Sequence, residues 1–159
     1  MTKSEAQLRQ QVVDLLASGH AHATFEAVVR DFPAGLRGKR PRGAKHSAWQ
    51  VLEHLRIAQW DILEFSRDAK HVSPKWPEGY WPRTAAPPEA KAWEKSVRAF
   101  LRDRKAMCAL VADEAKDLHA KIPHGDGQTL LREALLAADH NAYHLGELVL
   151  LRRLLGAWG

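Results

Sequence analysis

Near the C-terminus, the stretch Asp139-His140-Asn141-Ala142-Tyr143-His144-Leu145-Gly146-Glu147 sets two histidines four residues apart. On an α-helix that spacing stacks His140 and His144 on one face, where two imidazoles can close on a single cation. The same face carries Glu133, Leu136, Ala137, Leu148 and Leu151, so it is directed at a core. A pair at this spacing also arises by chance on helix surfaces, and a metal site needs a third donor. His54, in Trp49-Gln50-Val51-Leu52-Glu53-His54-Leu55-Arg56, supplies one, because its helical face includes Val51, Leu55, Ala58, Asp61, Ile62 and Phe65. Three inward histidines from two helices are hard to account for as packing, since each buried imidazole needs polar partners.

His54, His140 and His144 together give three neutral nitrogen donors, the set of a catalytic zinc-type site that leaves one coordination position for water or substrate. The single cysteine, Cys108, lies on a packing stripe elsewhere, which argues against a closed structural site and for an inert thiol. Imidazole suits Zn, Ni, Fe and Cu alike, so the identity of the divalent ion stays open. Such an ion activates water at neutral pH and holds a low-molecular-weight thiol as its thiolate, so hydrolysis and thiol transfer both follow from it. A metal-binding stress or storage module without chemistry is the non-enzymatic alternative. Glu147, one turn after His144, and Asp61, two turns after His54, share the ligands' faces and are candidates to orient an imidazole or act as acid or base. The His-Glu-x-x-His motif of helical metalloproteases and the Glu-x-x-His motif of di-iron bundles are both missing.

The elements that must position these residues are helical. Ser4-Glu5-Ala6-Gln7 reads as a capping box opening a first helix at about residue 5, with Leu8, Val12, Leu15 and Leu16 at helical spacing. Around Gly19 the pattern kinks or breaks before a second piece with Phe25, Val28 and Val29, ended by Pro33. Within that break, His20 and His22 are candidates to line the metal pocket. Ser47-Ala48-Trp49-Gln50 is a second capping box, and the helix it opens runs to about Arg67. Residues 68–88 hold five prolines and the aromatics Trp76, Tyr80 and Trp81, which makes this an ordered loop that caps the core or covers the site. Tyr80 and Trp81 are therefore further pocket candidates. A helix from Pro87-Pro88-Glu89 carries Trp93, Val97, Phe100, Leu101, Met107, Val111 and Leu118 nearly to Pro123, and a last helix runs from near Thr129 to Gly156. Four long helices without strand-type alternation predict an all-α, four-helix bundle in one domain over residues 1–159.

A net charge of +5 raises the question of nucleic acid. Much of the excess sits in one loop, at Arg37, Lys39, Arg40, Arg42 and Lys45, while elsewhere acids and bases alternate along helices. With no base-reading pattern present, a small-molecule substrate is expected and nucleic acid is not. One cysteine, an N-terminus without a signal-like apolar segment and no stretch of membrane-spanning length lead to the expectation of a cytoplasmic protein. Trp49, Ile57 and Trp60 lie away from the His54 face, which predicts either a third neighbour for this helix or a subunit interface, with dimerisation through the two tryptophans as the interface form of that expectation.

Gly19-His20-Ala21-His22, Trp49-Gln50-Val51-Leu52-Glu53-His54 and His140-Asn141-Ala142-Tyr143-His144-Leu145-Gly146-Glu147 together resemble the DinB-like (YfiT-like) metal-binding bundles, over nearly the whole chain. The resemblance implies up-down-down-up topology, a divalent metal on His54, His140 and His144, and a homodimer. Relatives of that kind include thiol-dependent transferases and isomerases as well as proteins regarded as hydrolases.

Overall fold

The computed structural model describes residues 2–18 and 21–158. Among them the helices are α1 (Lys3–Ser18), a short α2 (Phe25–Val29), α3 (Ala48–Arg67), α4 (Ala92–Ala112) and α5 (Leu130–Leu154), with 3-10 turns at Ala34–Leu36 and Glu78–Tyr80 and no strand. None of these helices is long and apolar enough to cross a membrane.

Capping sets most of the helix starts. Ser47 and Gln50 form the reciprocal capping box expected for α3, while Thr24 and Thr129 accept from the backbone N–H groups of Ala27 and Arg132 to open α2 and α5. Helix α1 begins earlier than residue 5, because the Thr2 hydroxyl takes the Glu5 N–H and Ser4 is already helical. Helix α2 stops at Val29, ahead of Pro33, and Asp31 just beyond it takes a positive φ of 51°. Helix α4 starts at Ala92, after the Pro-Pro pair, and ends at Ala112 rather than near Pro123. Side chains end it: Asp113 and Asp117 accept from the N–H groups of Ala115 and His119 in tight Asx turns. From α1, the buried Arg9 guanidinium donates to the carbonyls of Val111, Asp113 and Lys116, satisfying backbone that a continued helix would have paired. Leu118 is fully buried from this loop, not from a helical stripe.

The contacts fix the topology. Arg9 lies against Val111 and Val13 against Cys108, so α1 and α4 run antiparallel. Gln59 meets Asn141 while His46, before α3, meets Glu147, so α3 and α5 also run antiparallel. Helices α3 and α4 run parallel, touching at Glu53 and Ser96 near their starts and packing Leu63 with Met107 toward their ends. The order is up-down-down-up, with two apolar clusters stacked along the bundle. One surrounds Phe25, Trp49, Leu52, Phe100 and Leu148, and the other surrounds Val12, Leu63, Met107, Leu118 and Ala134.

Trp49 is 4% exposed inside the first cluster, so it is a core residue and not an interface residue. Around it the cluster includes Phe25, Trp93 and Phe100, while Ile57 farther along the same face is half-buried. Trp60 is half-buried with its ring edge-on to His71. Two of the loop cations are also engaged internally: Arg37 pairs with Glu94 over the Trp93 ring, and Arg40 donates to Gln50 Oε1.

Candidate metal centre

Helices α3 and α5 bring His54, His140 and His144 together, each with a ring nitrogen within 4.8 Å of the others'. His54 and His144 are buried and His140 is half-buried. The Nε2 atoms of His54 and His140 stand 3.0 Å apart. Donors on one tetrahedral zinc at about 2.0–2.1 Å would be roughly 3.3 Å apart, so these nitrogens are within a small adjustment of joint coordination.

Two of the rings are oriented from behind. His54 Nδ1 lies 3.0 Å from the Tyr80 carbonyl, which can only accept, so that nitrogen carries the proton and Nε2 presents a lone pair. His144 Nδ1 lies 3.0 Å from Glu147 Oε2, the carboxylate–histidine arrangement that fixes tautomer and ring angle in metal sites. Burial drives the His54 pKa down to about 4 and the His140 pKa down to about 3, with the neighbouring imidazoles adding to the effect. At neutral pH both are uncharged donors. Glu147 is held below the usual carboxylate range by its bond to His144, so it is an anion there.

Sequence reasoning missed His46, whose position just before the Ser47 cap gives no periodic signal. Its Nδ1 lies 3.7 Å from Glu147 Oε1, and its pKa is lowered by burial against the opposing pull of Glu147. Trp81 lies between His46 and His54. Its ring stacks on His54 at 3.9 Å and 4° and on His46 at 3.8 Å and 20°, and it meets His144 edge-on. The loop of residues 68–91 thus covers the His54 side of the triad through Trp81 and orients it through the Tyr80 carbonyl.

Asp61 is not placed against a ligating imidazole. Its carboxylate accepts from the Tyr80 hydroxyl and lies 2.7 Å from His71 Nε2, so it bears on His54 only through Tyr80. Burial and then this bond raise the Tyr80 pKa. Replacing Asp61 with Ala strands both partners, with an expected loss of about 2 kcal/mol. Urea melts should show that loss, and amide exchange should quicken in residues 71–81 while α1 stays protected. His22 is exposed, its Nδ1 on the Ala23 carbonyl, and lines a cleft with Leu16, Phe25, Arg104 and Asn141 rather than the triad. His20 lies outside the described residues. Cys108 is partly buried in packing with its thiol pKa raised by desolvation, as befits an inert side chain.

Fold and site define an up-down-down-up helical bundle with an inward histidine triad shared by its second and last long helices. The chain belongs to the DinB superfamily, whose family model matches residues 6–148. Neither the curated proteins nor the solved structures compared with it give a significant match.

Proposed function

We propose that this protein is a divalent-metal-dependent enzyme acting on a small molecule, with His54, His140 and His144 as the metal ligands. The observation that carries this reading is the convergence of three imidazoles, two of them with the rear nitrogen already hydrogen-bonded so that Nε2 faces inward. A divalent ion held there would act as a Lewis acid toward a water or thiol substrate.

Of the two chemistries, transfer of a low-molecular-weight thiol fits the surrounding residues better than hydrolysis. Glu147 faces His144 and His46, and Asp61 holds Tyr80 and His71, so both candidate bases are committed to orienting roles. A thiol needs little help, because coordination alone deprotonates it. Isothermal titration of Zn-, Ni- and Fe-loaded protein with bacterial low-molecular-weight thiols is expected to show binding that vanishes in chelator. Absence of thiol binding together with turnover of an ester or amide panel would move the assignment to hydrolysis. Failure of both would leave a non-catalytic metal-binding module.

The chain is also proposed to pair with a second copy, through α5 instead of the buried Trp49. Leu135, Tyr143, Leu150 and Leu154 form an exposed apolar stripe along α5, flanked by the exposed Asp139 and Arg153. Asp139 and Arg153 are equally distant in sequence from Gly146, where an added Cβ would meet nothing within 4 Å. Two antiparallel copies crossing at Gly146 would therefore oppose each acid to a base. Leu150→Glu is expected to convert a dimer to monomer in sedimentation velocity, and a monomeric parent would count against the pairing.

A further inference from the structure

A concentration of unneutralised positive charge lies beside the triad, and the metal centre itself does not account for it. No acid occurs between Asp31 and Glu53 or between Glu78 and Glu89, while these two stretches carry Lys39, Arg40, Arg42, Lys45 and Arg83, all exposed. Arg37 of the first stretch pairs with Glu94, but none of those five has an ion pair among the described residues. Arginines of the helices, such as Arg56, Arg67 and Arg104, lie on carboxylates.

The fold joins the two stretches and sets them at the triad. The Ser47 hydroxyl donates to the Ala85 carbonyl, and Gly38 lies so close to Ala86 that an added Cβ would stand 2.5 Å from the Ala86 Cβ. Lys45 precedes His46 and Arg83 follows Trp81 by two residues; the His46 and Trp81 rings stack on each other, and Trp81 stacks on His54 at 3.9 Å. Arg40 is held more firmly. Its Nη2 donates to Gln50 Oε1 at 3.0 Å, and the same oxygen accepts the Ser47 N–H, so two donors hold that amide in one orientation. Gln50 stands one turn before His54 on α3, about 6 Å along the axis. The other N–H groups of the Arg40 guanidinium have no partner among the described residues.

These charges bear on the sign of whatever the site takes. A Debye length of about 8 Å at physiological salt lets cations placed this close act on a molecule at the metal, and they add to the positive charge of the ion itself. A guanidinium with planar N–H groups to spare is suited to grip a carboxylate or a phosphate. We propose that the small molecule bound at the metal is an anion, bearing carboxylate or phosphate groups besides the atom that meets the metal, with Arg40 as its specificity-determining contact and Lys45 and Arg83 beside it. This rests on the metal reading above and adds to it the charge of the substrate.

The test uses Co(II)-loaded protein and three small thiols: mercaptosuccinate with two carboxylates, neutral thioglycerol and cationic cysteamine. Thiolate-to-Co(II) absorption reports binding. Mercaptosuccinate is expected to bind about tenfold more tightly than thioglycerol, the order of factor that a hydrogen bond to a charged group supplies, with cysteamine the weakest. Added salt should narrow that gap, Arg40→Gln should close most of it, and Lys45→Gln should narrow it by a smaller factor. Both side chains are exposed, so these variants change charge and leave the core untouched. Equal affinities for the three thiols, or a mercaptosuccinate advantage that Arg40→Gln and salt leave unchanged, would overturn the proposal. Should no thiol reach the metal, the thiol-transfer reading falls by itself, and succinate and inorganic phosphate titrated into the protein with amide NMR decide the anion site. Shifts in residues 39–46 and 81–84 that disappear in Arg40→Gln would sustain it and show which oxyanion is preferred. No shift from either probe, or binding of an oligonucleotide at these cations in place of every small anion, would overturn it.

Discussion

Purified without an affinity tag, the protein is expected to carry a divalent transition metal at close to one equivalent, and His140→Ala to carry almost none. Both residual ligands of that variant would remain oriented, His54 by Tyr80 and His144 by Glu147, so the loss isolates one donor. Removing a ligand should exceed the 10- to 100-fold cost of removing a ligand's hydrogen-bond partner, which sets the expected drop in affinity at more than about 100-fold. The variant should still fold. His140 is half-buried on a helix whose packing comes from Ala134, Ala137, Leu145, Leu148 and Leu151, and alanine is the best helix former. Elemental analysis by mass spectrometry, alongside circular dichroism, checks both halves. Stoichiometric metal in His140→Ala, or none in the parent after incubation with Zn, Ni and Fe salts, would remove the basis of the proposed function.

The sequence made the triad legible because helical periodicity is a short-range rule and the three histidines obey it. His140 and His144 are one turn apart, and His54 shares a face with Val51, Leu55 and Ile62, all buried. The same rule misled at Asp61. Two turns along one face is the right direction but lies about 10 Å down the axis at 1.5 Å per residue, and there the carboxylate meets the covering loop, not the ligands. The interface reading of Trp49 failed for a related reason, because a helix wheel shows which side of α3 differs from the His54 side without showing that Trp49 joins the core cluster of Phe25, Trp93 and Phe100. The end of α4 depends on Arg9, more than a hundred residues away in sequence, reaching three carbonyls. The Trp81 sandwich, His46 and the Gln59–Asn141 pair depend on loop paths and on the relative height of α3 and α5, which no window of sequence contains. What could be read was the triad and one group that orients it, Glu147 one turn after His144; what could not was the path of the covering loop that sets Tyr80 and Trp81 against His54.

Acid should unfold the chelator-treated protein earlier than its carboxylates alone would require, and the buried histidines are the reason. In the unfolded chain His54 and His140 take protons near pH 6.5, whereas in the fold burial holds their pKa values at about 4 and about 3. Between those limits the unfolded state binds more protons than the folded one, so stability rises with pH across the window and is lost as pH falls from 6.5 toward 4. One histidine fully protonated only when unfolded contributes a slope of about 1.4 kcal/mol per pH unit, and a combined loss of about 3 kcal/mol by pH 4 allows for solvent reaching the half-buried His140. Glu147 adds to the loss below its ordinary range, since its lowered pKa stabilises the fold only while it remains an anion. Urea melts at stepped pH should therefore show a slope between pH 6.5 and 4.5 that flattens in His54→Leu and His140→Leu, where no ring remains to take the proton. A divalent ion at a hundred times its dissociation constant should oppose the decline at neutral pH by about 2.7 kcal/mol and lose its effect as protons compete for the same nitrogens. An identical slope in parent and variants would mean that the His54 and His140 imidazoles are better solvated than their positions between α3 and α5 indicate.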